Sequence, residues 1–152
     1  WKTNRPLHAL TTIAKVWTRP ILLIKPQTFV NESGSYLKPL LAYHDCKTEE
    51  MIVVHDDVAF EAGHLKVSEG KGDGGHNGIK NIICNVGASF IRFRLGIGAK
   101  SSWRTMKSHV LGKFSPEEEV VLKENFDFFT EVLQRIVDKG VEHAMNLSNK
   151  RK

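Results

Sequence analysis

Two short unbroken apolar runs, residues 21–24 (ILLI) and 51–54 (MIVV), constrain this 152-residue chain more than any other feature. Each is bounded by charged or turn-forming residues and is too short for a helix, so each reads as a strand buried on both faces. Between them Tyr36, Leu37, Leu40, Leu41 and Tyr43 recur at helical spacing, with Pro39 expected to kink that helix or confine it to its first turns. Strand, helix, strand is the βαβ arrangement and implies a parallel pair. Functional groups gather where the strands of such sheets end, and there stand His55, Asp56 and Asp57.

The remaining elements are read from the same periodicities. Residues 1–10 show no pattern and read as an irregular lead-in. Residues 11–17 alternate and form a hairpin with 21–25, and residues 64–68 alternate like a half-exposed strand. Asn77 is the expected N-cap of a helix to about Val86, burying Ile79, Ile82, Ile83 and Val86. Residues 91–98 put Ile91, Phe93, Leu95 and Ile97 on one face and Arg92, Arg94, Gly96 and Gly98 on the other. Ser115 and Pro116, followed by acids, start a helix expected to run to Lys139 and stop at Gly140; a last helix covers residues 141–147. The length suits a single domain over residues 1–152, with no internal repeat.

Residues 70–78 read GKGDGGHNG. A glycine-dense loop opening a helix can turn amides toward an anion, with His76 and Asn77 adding titratable and polar side chains; it can equally be an ordinary flexible connection. A net charge of +5 suits a polyanionic partner such as RNA, or an anionic membrane surface. Arg92 and Arg94 on one strand face invite an anion, and the small Gly96 and Gly98 beside them favour close approach of a ligand over a solvated face; Lys100, Arg104 and Lys107 around Trp103 can clamp phosphates, although a flexible surface loop is the commoner case. Cys46 and Cys84 lack paired spacing, which argues against a zinc site or disulfide framework and for a reducing compartment; both are expected in the core. No acidic cluster suggests a metal, and no apolar run is long enough to span a bilayer as a helix. His8, His44, His64, His109 and His143 each read first as structural.

Asn31, His55-Asp56, His76-Asn77 and the arginine strand are thus expected on one sheet edge, as an acid/base site beside a phosphate-rich ligand. Five segments carry a resemblance: KPQTFVNESG (25–34), VVHDD (53–57), GGHNGIKNII (74–83), RFRLGIG (92–98) and HVLGKFSPEE (109–118). In order and spacing they resemble the bacterial-type peptidyl-tRNA hydrolases, from about Lys15 to Leu147. The resemblance implies a three-layer α/β/α fold around a mixed, largely parallel central sheet. It implies cleavage of the ester between a peptide and the 3′ ribose of tRNA, without metal or organic cofactor, by a cytoplasmic or organellar-matrix monomer.

By position, the resemblance makes Asp56 the acid that orients and charges a catalytic histidine, and Asn31 a residue that positions water and peptide. It makes His76 and Asn77 the pair that lines the cleft and contacts substrate. Phe29, Lys66, Arg94, Lys100, Arg104 and Lys107 become contacts to substrate and tRNA, and the glycine loop becomes a rim. The family opens with a strand, a Gly-Asn-Pro-Gly turn and an Arg-His-Asn segment that this sequence does not contain, and His8 does not match that context. The chain is therefore expected to be N-terminally truncated, to lack the general base and to be inactive as it stands. The alternative is a non-catalytic RNA-binding protein using the same cleft, like the family's splicing relatives. Smaller departures are Ala59, Ser68, Lys71 and Asp73.

Overall fold

In the computed structural model the β-branched alternation of the first third of the chain becomes a long hairpin. Strand β2 (Ala9–Val16) pairs antiparallel with β3 (Arg19–Pro26) from Ala9↔Pro26 to Val16↔Arg19. Two residues make the turn, and Trp17 takes a φ of +55° there. The structure describes residues 1–98 and 106–149, with Met106 and Lys107 described by backbone alone. These residues form two compact units, Trp1–Met51 with Glu69–Ile91, and Ile52–Ser68 with Arg92 onward.

In the first unit the expected irregular lead-in is instead strand β1 (Lys2–Asn4), which pairs antiparallel with β2 and gives the order β1-β2-β3. A 3-10 turn, Val30–Glu32, leads to helix α1 (Leu37–Tyr43). Pro39 falls in the first turn of α1, where a missing N–H costs nothing, so the helix is short but not kinked there. A second 3-10 turn, Thr48–Glu50, closes the first segment of the unit, and helix α2 (Asn77–Val86) belongs to the second. Leu37 and Leu40 of α1, with Tyr36, are buried, as are Ile79 and Ile82 of α2. Cys46 and Cys84 are exposed, correcting their expected place in the core.

The second unit is built on β4 (Ile52–Asp57), β5 (Leu65–Glu69) and β6 (Ile91–Gly96), in the order β4-β6-β5. Ile91 N–H donates to Met51 O at 2.9 Å and Ile97 N–H to Asp57 O at 3.2 Å, the equal advance of a parallel pair. Gly96 N–H donates to His64 O at 2.8 Å, so the end of β6 meets the start of β5 and that pair is antiparallel. Helices α3 (Met106–Val110), α4 (Pro116–Glu124), α5 (Phe126–Lys139) and α6 (Val141–Ser148) follow. On α5, Phe129, Val132 and Ile136 are buried, each worth about 1.5–3 kcal/mol of apolar burial.

Two expectations are corrected by these pairings. The strands at 21–25 and 51–54 do not form a parallel pair: β3 bonds to β2, and β4 bonds to β6. The described residues accordingly hold two three-stranded sheets, one wholly antiparallel, and not a single largely parallel one. The long helix expected from Ser115 is also interrupted. Asn125 donates through Nδ2 to Val121 O at 2.8 Å, while its carbonyl accepts Phe129 N–H at 2.9 Å. It therefore ends α4 and starts α5, the competition that short amide side chains offer a continuous helix.

Candidate functional site

Helix α2 begins on its histidine. His76, not Asn77, is the cap: its Nδ1 accepts from Gly78 N–H at 3.1 Å and Ile79 N–H at 3.3 Å, satisfying two amides that the first turn leaves without partners. With Nδ1 accepting, the neutral ring carries its proton on Nε2. Asn77 becomes the first helical residue and is exposed.

Two glycines bring Asn31 to this helix. A Cβ on Gly78 would lie 2.9 Å from Val30 O and 3.0 Å from Val30 Cγ2. The close backbone approach that the glycine loop promised is thus made, at Gly78, by the protein's own 3-10 turn. Further along, a Cβ on Gly34 would lie 2.5 Å from Asn81 O and 2.7 Å from Ile82 Cα, and the Gly34 N–H donates to Asn81 Oδ1 at 2.7 Å. Asn31 lies between these two points, and it shares a depression of about 410 Å³ with Asn77, Lys80, Asn81 and Cys84. Phe29, just before the turn, is 79% exposed.

Sequence reasoning missed Lys80, Asn81 and Cys84 at this depression. The signal was there: with Asn77 they stand at i, i+3, i+4 and i+7, one polar face of α2 opposite Ile79 and Ile82.

In the second unit Asp56 lies within β4, half-buried, and by alternation shares a face with the 52%-exposed Val54. His55 and Asp57 occupy the other face, and they meet the arginines of β6. Arg92 is buried, and its Nε donates to His55 Nε2 at 3.2 Å, while His55 Nδ1 lies 2.6 Å from Asp56 O. Arg94 donates through both Nε and Nη2 to Asp57 Oδ2, each at 2.7 Å. Burial pushes the Asp57 carboxyl up, but the Ala59 N–H, the Arg94 hydrogen bond and charge, and His55 outweigh it and hold the group below its ordinary value. The Phe60 ring takes the Arg94 guanidinium 4.8 Å from its centroid on one contact and the Lys66 ammonium at 5.6 Å on another.

The structure therefore brings Asn31 to Asn77 beside the cap made by His76, and Arg94 to Asp57 with Lys66 at the same aromatic ring. Lys100 and Arg104 lie outside the described residues, and Lys107 is described only as backbone of α3. Among the described residues no group of three or more His, Cys, Asp or Glu side chains is placed to hold a metal, and no helix is long and apolar enough to cross a membrane.

Fold and site define an α/β protein with two carboxamides gathered at the histidine-capped start of a helix. The chain belongs to the peptidyl-tRNA hydrolase family, whose model matches residues 1–152. It is 38% identical over 136 residues to the peptidyl-tRNA hydrolase of Clostridium tetani, covering 89% of this chain and 71% of that protein. The enzyme of that name from Thermotoga petrophila is 35% identical over 150 residues, covering 98% of this chain and 80% of its own. A crystal structure of peptidyl-tRNA hydrolase from Acinetobacter baumannii superposes with a TM-score of 0.91 at 28% identity, over 99% of this chain and 77% of that one.

These matches correct the expected boundaries of the family likeness. It was expected from about Lys15 and on a chain truncated before its first strand; the family model instead matches from residue 1, and the chain opens on strand β1. The expectation that the chain carries no catalytic histidine beside its acid is corrected with it, since His76 and Asp56 both lie inside the match.

Proposed function

We propose that this protein hydrolyses the ester that joins a peptide to the 3′ ribose of tRNA. One observation carries the reading: Asn31 and Asn77 line the same depression. Water adds to the ester carbonyl carbon, the bond from that carbon to the ribose oxygen breaks, the peptide leaves as its acid and the ribose oxygen takes a proton. Two carboxamides suit both halves of this task, because each offers an oxygen to hold the water and an NH2 to meet charge growing on the carbonyl oxygen. His76, tied to the helix through Nδ1, acts through Nε2. Asp56 supplies the carboxylate for proton transfer, and Phe29, Lys66 and Arg94 contact the tRNA and its peptide.

The test is release of peptide from peptidyl-tRNA by the purified chain. Turnover is expected, falling roughly 10²–10³-fold in Asn31→Ala and Asn77→Ala. His76→Ala and Asp56→Asn are expected to lower it by roughly 10²–10⁴-fold. Absence of turnover, or full turnover in both asparagine variants, would overturn the reading.

A further inference from the structure

We propose that Asn81 is a positioning residue that sets the separation of Asn31 from Asn77. The inference rests on the role just given to those two side chains. Asn81 lies outside the five residues from Gly74 to Gly78 that bear the most evident chemistry, one helical turn beyond Asn77 on the same face of α2.

The segment bearing Asn31 is a stiff unit. Glu32 N–H donates to Phe29 O at 2.9 Å, and Ser33 holds Val30 O through both its N–H at 3.3 Å and its hydroxyl at 2.7 Å. Such a unit moves as one piece, so whatever anchors its ends places Asn31. Gly78 against Val30 and Gly34 against Asn81 O and Ile82 Cα set how close the unit lies to α2. Close contact of this kind limits approach but does not stop sliding along the helix. A directional bond does, and Gly34 N–H to Asn81 Oδ1 at 2.7 Å provides it.

Asn81 is suited to the task on both its sides. Its side-chain oxygen takes the Gly34 amide, and its backbone carbonyl, against which Gly34 rests, accepts from Asn85 Nδ2 at 2.8 Å. Its residue also lines the depression with Asn31 and Asn77, so a shift of register would be felt at the reacting centre directly. A misplacement of about 1 Å there is costly to turnover. The requirement is for an acceptor at this position, which aspartate meets and alanine does not.

The experiment compares Asn81→Ala, Asn81→Asp, Asn31→Ala and the double variant Asn31→Ala/Asn81→Ala in the full chain. With peptidyl-tRNA, kcat is expected to fall roughly tenfold or more in Asn81→Ala with KM changed less than about twofold. Asn81→Asp is expected to recover to within roughly threefold of the parent, and the double variant to be no slower than Asn31→Ala alone. Multiplicative losses in the double variant, or an Asn81→Asp as slow as Asn81→Ala, would overturn the proposal.

A second readout separates it from the hydrolytic reading. By amide NMR, Gly34 N–H exchange is expected to rise roughly tenfold or more in Asn81→Ala and the Asn31 side-chain resonances to move, with both retained in Asn81→Asp. Unmoved Asn31 resonances in Asn81→Ala would sink the positioning role whatever the chain does to peptidyl-tRNA.

Discussion

Gly34 and Gly72 show how differently two glycines of one unit are constrained. A Cβ at Gly34 would press on backbone, Asn81 O at 2.5 Å and Ile82 Cα at 2.7 Å, whereas a Cβ at Gly72 meets nothing within 4 Å. Backbone of a packed helix cannot swing aside as a flexible side chain can. Gly34→Ala is therefore expected to cost about 1–3 kcal/mol in urea unfolding, as overpacking does. Gly72→Ala, in open space, is expected to stay within about 0.5 kcal/mol. Equal losses would show that α2 and the Asn31 segment are less tightly held than their geometry indicates. At this scale the sequence displayed Asn31, His76 and Asn77 through their motifs, but not Asn81. Its place on the polar face of α2 with Asn77, Lys80 and Cys84 was legible, but its bond was not, because its partner, Gly34, is 47 residues away.

At the scale of elements, the ion pair between Arg94 and Asp57 ties β6 to β4. Both side chains are mostly buried, at 18% and 11% exposed, and the Asp57 carboxyl sits below its ordinary value. A depressed folded value means that the stabilisation is present above the unfolded value, about pH 3.9, and is lost as the pH falls through the lower folded one. Unfolding measured from pH 6 downward is expected to show this loss beginning below about pH 4 and to lose that component in Asp57→Asn. Arg94→Gln is expected to cost about 1.5–3 kcal/mol at neutral pH, as removal of a hydrogen bond to a charged group does. An unchanged acid limb in Asp57→Asn would place the pair's contribution near zero.

The arginine face of residues 91–98 was legible from alternation, as were the hairpin, the strand after residue 64 and the Ser115 cap. What occupies that arginine face was not. The pairing of β4 with β6 joins residues far apart in the chain, and only that pairing sets His55 and Asp57 opposite Arg92 and Arg94. The same non-locality hid the division into two sheets. An apolar run announces a strand but not its neighbour, so the sequence of strand, helix and strand suggested a parallel pair that the hydrogen bonds do not make.

For the whole molecule the net charge of +5 is the property that a tRNA would sense first. Each phosphate neutralised by the protein releases counterions and adds roughly 0.7–0.9 to the steepness with which binding weakens as salt rises. Lys66 and Arg94 are not equivalent in this respect. The Lys66 ammonium rests over Phe60 with no carboxylate on it among the described contacts, whereas the Arg94 guanidinium is already bonded to Asp57. A phosphate reaching Arg94 competes with a carboxylate at 2.7 Å; one reaching Lys66 competes with water and an aromatic face. In tRNA binding measured across a range of salt, Lys66→Gln is therefore expected to flatten the log–log slope by roughly 0.7–0.9, and Arg94→Gln by distinctly less. Equal flattening would mean that the phosphate displaces Asp57 when tRNA binds. In that case the Asp57→Asn variant should bind tRNA more tightly, because the competing carboxylate is gone.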